Sequence, residues 1–563
     1  MKARRGQGAR DGWVLLLLAA WSCHYFFRYG GTAYEWPAVD IAPLVARQLD
    51  PDFLANDFFT NASAEANPRH AFGFFVATLA RCFGGEWYAA LFLLRVAAAV
   101  FLPGLWYLAL TGYVRSWRGD RGERDTRAPD VGGILAAIVV FVGLVQVVRP
   151  SVSAWFSIAW WPPFQPQATS ATYSLMFALA GNVLLLRDAR KSTWCGAVLW
   201  AIASVLHPAV SLFAIVFHGL ATFDRQRWSA AAAAVAVGWL LPCAALAIAC
   251  RPAVSLSAAE FIRAYVVVRH PSHYLPAQFG TLTGRPWWES FFVLTGLMLA
   301  AVPYAAWRQD RRSASLALLL AAAYVGCVGL QYIAVVDWPS KLLAMLGPVR
   351  FSALGFYAWL LLAAVVAADL GSLVPARLPS TAARMSVLGL PRWAALVVMG
   401  VAAVVVGMTE RDDPFLRARE KHGRLFEWIA KNTPRDAVFA TPDDYLTVDI
   451  ALVAERPVFA GFGFPFREDF FAEYTLRDAL VFGTPEHRAE LAAAGASDPK
   501  EAYFYGLSPR DFAKVAAERR LDLVVVAADH ADRFDDLAPA YADASWRVYA
   551  IHPPRKNSPP PTP

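Results

Sequence analysis

Between Asp50 and Phe75 the chain reads DPDFLANDFFTNASAEANPRHAFGFF. This stretch holds four acids (Asp50, Asp52, Asp57 and Glu65), three asparagines and the pair Arg69-His70. Carboxylates placed like this are the groups that take a proton from a hydroxyl when their surroundings tune them as general bases. A further acid, Asp40, stands earlier, in YEWPAVDIAP. Asp50-Pro-Asp52 has the spacing of an Asp-x-Asp metal pair, although a proline between two aspartates reads more simply as a turn. Asn61-Ala-Ser63 spells a glycosylation sequon, a short pattern that chance supplies readily. Cations cluster in three other places: Arg269, His270 and His273 in RHPSHYLPAQFGTLTGRPWWE, Lys341 and Arg350 in VDWPSKLLAMLGPVRFS, and His207 beside Pro208. Groups of this kind hold phosphate oxygens. A plainer reading stands beside each. The acids serve equally as solvated loop residues or helix N-caps, Arg350 as an interfacial arginine reaching the headgroups, and His207 as a structural histidine bonded to a loop carbonyl.

The elements that must position these residues are built for lipid. Hydrophobic residues make up 57% of the 563 positions and charged ones only 17%, with 21 Trp and 37 Phe. A soluble domain carries about 25% charged residues. The net charge of +7 is accompanied by no nucleic-acid motif. The six cysteines (23, 82, 195, 243, 250 and 327) lie in or beside apolar runs and form neither a disulfide framework nor a zinc pattern.

A membrane span needs roughly 20 apolar residues. Candidates are 13–29, 86–113, 131–148, 172–187, 229–249, 290–306, 313–336, 351–368 and 393–408. The first follows a basic start and reads as a retained span, since no small-residue cleavage site follows it. Basic loops mark the cytoplasmic side. They are Lys2 to Arg10, Arg115 to Arg127, Arg187 to Lys191, Arg225 to Arg227, Arg308 to Arg312 and Arg377 to Arg392. That placement leaves Ala71 to Phe83 as an interfacial helix on the outer face. It also makes 194–222 a hairpin of two short spans turning outside at His207-Pro208, where proline interrupts the helix. The total is about eleven spans, with the N-terminus in the cytoplasm and the C-terminal part outside. If 194–222 were one tilted helix, the count would be ten and the C-terminal part would be cytoplasmic.

The expected fold is therefore mainly α: a polytopic membrane helical bundle over 1–408, whose first outer loop, 30–85, carries the interfacial helix. A small α/β domain follows over 409–553, then a disordered tail over 554–563. In that domain Leu425, Phe426 and Ile429 mark one helix. AVFA (437–440) and PVFA (457–460) read as strands, Ser508 as an N-cap and LDLVVV as a buried strand. Strands alternating with helices predict a mostly parallel sheet.

This layout resembles the GT-C superfamily of integral membrane glycosyltransferases, notably the bacterial lipid A aminoarabinose transferases and the protein O-mannosyltransferases. The likeness rests on four features. A long acidic outer loop follows one span. RHAFGFFVATLARCFGG reads as an interfacial helix. The second span, GEWYAALFLLRVAAAVFLPGLWYLAL, has an early arginine, Arg95. The hairpin turn Leu206-His207-Pro208 stands where the family has a Lys-Gly-Pro-like motif. The resemblance implies transfer of a sugar from a polyprenyl-phosphate carrier to an acceptor at the outer face of a bacterial inner membrane, with inversion.

On that implication Asp57 and Asp40 are the candidate bases. His207, Arg350, Arg269, His270, His70, Arg95 and Lys341 are candidates for holding donor or phosphate. Arg95 is expected to pair with an acid of the first loop. The partners are the lipid-linked donor, membrane lipid and an acceptor of unknown identity. No cofactor is expected beyond a possible divalent cation. Two other readings remain open: a non-catalytic accessory protein of surface-polysaccharide assembly, and a lipid or solute transporter. The transporter predicts duplicated halves, and no duplicated half is visible.

Overall fold

The computed structural model describes residues 12–20, 22–23, 41–119, 168–186, 190–222, 228–269, 271–275, 287–307, 311–351, 361–362, 401, 416–461, 463 and 465–551. The expected spans 131–148, 351–368 apart from residues 351, 361 and 362, and 393–408 apart from residue 401, the residues Asp40 and His270, and the tail 554–563 fall outside them. The chain divides into two compact units. One comprises Met1–Gly31, Leu91–Ile248 and His270–Arg411; the other comprises Thr32–Ala90, Ala249–Arg269 and Asp412–Pro563.

The first unit is helical and apolar. Trp87–Ser116, Ala232–Ala249 and Ala314–Asp337 are each long and apolar enough to cross a membrane, and Ser170–Leu185, Lys191–Leu206 and Pro208–Ala221 are shorter apolar helices. Small residues let them approach. A Cβ on Gly181 would meet the Trp200 ring at 2.6 Å, and one on Gly196 would meet Leu185 at 2.7 Å. Such contacts matter in lipid, where burial gives no drive between helices and close packing must supply it. Buried polar groups pair across the interfaces. Trp200 Nε1 donates to Asn182 Oδ1 at 2.9 Å, and Tyr113 Oη lies 2.9 Å from His218 Nδ1.

The helix ending at Leu206 and the one starting at Pro208 are separated only by His207. The rings of Trp200 and His218 are 5.6 Å apart. In a continuous helix, residues with that separation in sequence would lie about 27 Å apart. The chain therefore turns back at His207, forming the expected hairpin.

The second unit contains the first loop. Its helices are Ala42–Leu49, Phe58–Ala64 and His70–Arg81. The last covers most of the stretch expected to form a helix, Ala71 to Phe83. It buries Phe72, Val76, Ala77 and Ala80 and exposes Phe74 and Phe75. Gly73 is needed there, because a Cβ would meet Leu44 of the first helix at 2.5 Å.

The C-terminal part follows as an α/β fold. Leu425, Phe426 and Ile429 are buried on helix Leu416–Asn432, as their spacing predicts. The strands are β1 (Phe439–Ala440), β2 (Leu523–Ala527), β3 (Tyr541–Ala542) and β4 (Trp546–Ala550), in the order β1-β2-β4-β3. Among the named strands β1 and β2 pair in parallel, as does the isolated bridge from Phe439 to Val458, whereas β2 with β4 and β3 with β4 are antiparallel. This corrects the expected mostly parallel sheet. The segment after Ala540 returns as a short hairpin, which needs no crossover helix. PVFA forms no strand of its own and touches the sheet through a single bridge from Val458 to Phe439. Ser508 caps helix Pro509–Glu518 reciprocally with Asp511, as a capping box.

Candidate functional site

Asp57 sits at the N-cap of helix Phe58–Ala64, with its backbone extended. One carboxylate oxygen, Oδ1, accepts the Thr60 N–H at 2.7 Å, satisfying a helix-end donor. The other, Oδ2, accepts the Val458 N–H at 3.1 Å. Asp57 is 0% exposed. Burial pushes its carboxyl up, while the bonds from Thr60 and Val458 and the nearby Arg477 guanidinium pull it back in part. Arg477 lies over the Phe58 ring at 4.7 Å and the Phe459 ring at 5.1 Å, and donates to Glu473 at 2.7 Å. In this arrangement Asp57 acts on the fold. To take a proton from an acceptor it would have to release the Val458 contact.

Around it, the segment after Val458 grips the first loop. Phe58 meets Phe470 and Phe59 meets Tyr474 edge to face, both with centroids 6.1 Å apart. Arg467 pairs with Glu65 at 3.2 Å, and Arg69 lies 5.2 Å from the centroid of Phe466. The same segment holds the second outer stretch. Asp469 Oδ1 accepts the Val254 N–H at 2.6 Å and Glu468 Oε2 the Leu256 N–H at 2.9 Å. Arg263 forms a bidentate pair with Glu486 at 3.1 and 3.2 Å. Two stretches far apart in sequence are thus fixed by one short run of the C-terminal fold.

His70 begins helix His70–Arg81, its Nε2 3.1 Å from Ser63 O. Arg269, half-buried, ends the π-turn Arg263–Arg269. Arg95 is half-buried on helix Trp87–Gly119. His207 caps helix Pro208–Ala221, its ring accepting the Val210 N–H at 3.5 Å. Lys341 is the first residue of helix Lys341–Leu346, and Arg350 lies in the 3-10 turn Pro348–Phe351. Asp57 and His70 therefore share one fold, Lys341 and Arg350 share one loop, and His207 stands alone at the hairpin. Asp50 Oδ1 accepts the Asp52 N–H at 3.0 Å, so one carboxylate of that pair closes a turn. Among the described residues no group of three or more His, Cys, Asp or Glu is arranged to hold a metal. An apolar cavity in the helical unit is lined by Leu15, Phe101, Leu105, Tyr173, Met176 and Phe177. The Tyr173 hydroxyl donates to Leu94 O at 2.8 Å, which leaves only the apolar ring for the cavity wall.

Sequence reading missed Arg477, Glu468 and Asp469, because their partners lie hundreds of residues away. The run FREDF, dense in charge among aromatics, was the visible signal.

Comparison with known proteins gives structural likeness only. No protein-family model matches the chain, and no curated protein matches it by sequence. Among solved structures, ArnT from Cupriavidus metallidurans bound to undecaprenyl phosphate is similar at 13% identity and a TM-score of 0.39, over 96% of this chain and 98% of that one. The Archaeoglobus fulgidus oligosaccharyltransferase tethered to an acceptor peptide is similar at 12% identity and a TM-score of 0.35, over 96% of this chain and 74% of that one. AglB from Archaeoglobus fulgidus, in complex with an inhibitory peptide and a dolichol-phosphate, is similar at 13% identity and a TM-score of 0.29, over 91% and 69%. These neighbours are GT-C membrane glycosyltransferases. At these identities and scores the likeness fixes neither the reaction nor the residues, and function has to be argued from the chain's own side chains.

Proposed function

We propose that the chain is an inverting membrane glycosyltransferase, taking a sugar from a polyprenyl-phosphate carrier at the outer face of a bacterial inner membrane. The supporting observation is that Thr32–Ala90, Ala249–Arg269 and Asp412–Pro563 form one compact unit. Segments that pack together lie on one side of the membrane, so the chain crosses an even number of times between them. The first interval then holds 86–113, 131–148, 172–187, the two arms of the hairpin and 229–249. The second holds 290–306, 313–336, 351–368 and 393–408. With the span before Thr32, the total is eleven. A single helix over 194–222 would make the first interval odd and separate the first loop from the C-terminal part.

On this reading the polar unit lies on the outer face, as the acceptor side of a transferase requires. The base removes the proton of an acceptor hydroxyl. That oxygen then attacks the anomeric carbon as the carbon–oxygen bond to the phosphate breaks, inverting the centre. Arg350, Lys341, Arg269, His270 and His207 take the growing charge on the leaving phosphate. Asp40 is the base, while Asp57, capped and buried, serves the fold of the first loop. The apolar cavity fits a carrier tail better than a polar solute.

The test is turnover of polyprenyl-phosphate-linked sugar to free polyprenyl phosphate by the purified chain in proteoliposomes. Asp40→Asn is expected to abolish turnover with folding intact. Unchanged turnover would remove Asp40 as the base. No turnover by the native chain with any donor would favour the accessory role.

A further inference from the structure

We propose that Gln331 is a positioning residue that holds the loop bearing Lys341 and Arg350 in place for the donor phosphate. The proposal rests on the transferase reading above and adds to it a residue that the reading does not use. Gln331 is a lone amide in the apolar run YVGCVGLQYIAVV. It lies within the spanning stretch Ala314–Asp337 and is 0% exposed.

Both ends of its amide are engaged, each with the backbone of a different loop. Nε2 donates to Tyr274 O at 3.0 Å, and Oε1 accepts the Val349 N–H at 3.3 Å. Tyr274 ends the short helix Pro271–Tyr274, which follows Arg269 and His270 in sequence. Val349 immediately precedes Arg350 in the turn Pro348–Phe351.

The chain between Gln331 and Val349 forms a closed loop. Directly after Gln331 and Tyr332 the helix widens into a π-turn, Ile333–Asp337, a local form often found at functional positions. Ser340 then caps helix Lys341–Leu346. Gly347 ends that helix in the left-handed region, with φ 61°, and its N–H bonds to Leu343 O at 2.9 Å. The next residues bring Val349 back to the glutamine. Lys341 is therefore carried on the loop that Gln331 closes, and Arg350 is placed next to the closing bond.

An apolar side chain at this position would leave a buried carbonyl and a buried N–H without partners. Near lipid neither finds water. The loop bearing Lys341 and Arg350 would then drift, and a phosphate held by those cations would lose its preorganised site.

The experiment uses the full chain in lipid nanodiscs with two probes, a polyprenyl phosphate and the matching uncharged polyprenol. Gln331→Leu is expected to weaken phosphate binding by about tenfold or more and to change polyprenol binding by less than about twofold. Gln331→Glu supplies a second readout. Protonated, its carboxyl can donate to Tyr274 and accept from Val349; ionised, it only accepts. Read from about pH 4 to about pH 10, its phosphate affinity relative to wild type should therefore be higher at the acid end than at the alkaline end. Equal weakening of both probes by Gln331→Leu, unchanged phosphate binding, or a pH-independent Gln331→Glu ratio would each overturn the proposal. If Gln331→Leu does not fold, the Gln331→Glu ratio decides. If wild type binds both probes alike, the transferase reading itself fails. Discrimination by wild type that Gln331→Leu retains defeats the Gln331 proposal alone.

Discussion

The Asp57 carboxylate accepts the backbone N–H of Val458 at 3.1 Å across 401 residues of sequence, with the same side chain capping helix Phe58–Ala64. This one residue joins the first acidic loop to the C-terminal fold. Asp57→Ala removes an N-cap and strands the Val458 N–H, at a cost of roughly 3 kcal/mol. The unfolding midpoint of the purified chain should fall by about 2–3 °C. Asp57→Asn should lose nearly as much, because its NH2 faces a backbone donor. An unchanged midpoint with lost turnover would instead make Asp57 the base.

Glu468 and Asp469 hold the second stretch through the N–H groups of Leu256 and Val254. Replacing both acids by their amides weakens two charge-assisted bonds. Hydrogen exchange at the amides of Val254 and Leu256 should accelerate by about tenfold or more. Exchange at Val524 and Val525, deep in the sheet, should not change.

Asp449 is pushed up to about 7 from 3.8 by burial, with the nearby Asp443 raising it further and Lys421 opposing. Between those values the folded state holds a proton that the unfolded state has released. Stability from this group therefore falls as pH rises from about 4 to about 7 and is flat above. Asp449→Asn should raise stability at about pH 8 by on the order of 2 kcal/mol, after discounting for partial exposure. It should also flatten the slope below neutrality. Denaturant titrations at several pH values read both effects, and an unchanged slope would contradict the assignment.

The proposed even crossing count makes a labelling prediction. Cys82 is exposed in the first loop, and Ser497 is exposed in the C-terminal part. With the other cysteines replaced, a membrane-impermeant maleimide added to spheroplasts should label Cys82 and, in Ser497→Cys, the new thiol as well. Labelling of only one before permeabilisation would break the eleven-span topology.

Much of the helical framework was legible because its signals are local. Apolar length gives spans, basic residues mark loops, and His207-Pro208 marks a turn. The helix bearing Leu425, Phe426 and Ile429 followed from periodicity alone. The sheet was less legible. Strand direction depends on which strands meet, and the β3–β4 hairpin lies in YADASWRVYA, where charge and Trp hide the alternation. The site was legible as residue types in the right loops, but not as contacts. Nothing near Asp57 in sequence announces Val458 or Arg477. The role of Gln331 depends on two loops folding back to one amide.

The most direct test of the central claim is a cryo-EM structure of the full chain with a bound polyprenyl phosphate. The account predicts phosphate density within about 3.5 Å of a donor atom of Arg350 or His207, a hydrogen-bonding distance. Phosphate held elsewhere, with those cations turned to lipid headgroups or bulk water, would contradict it.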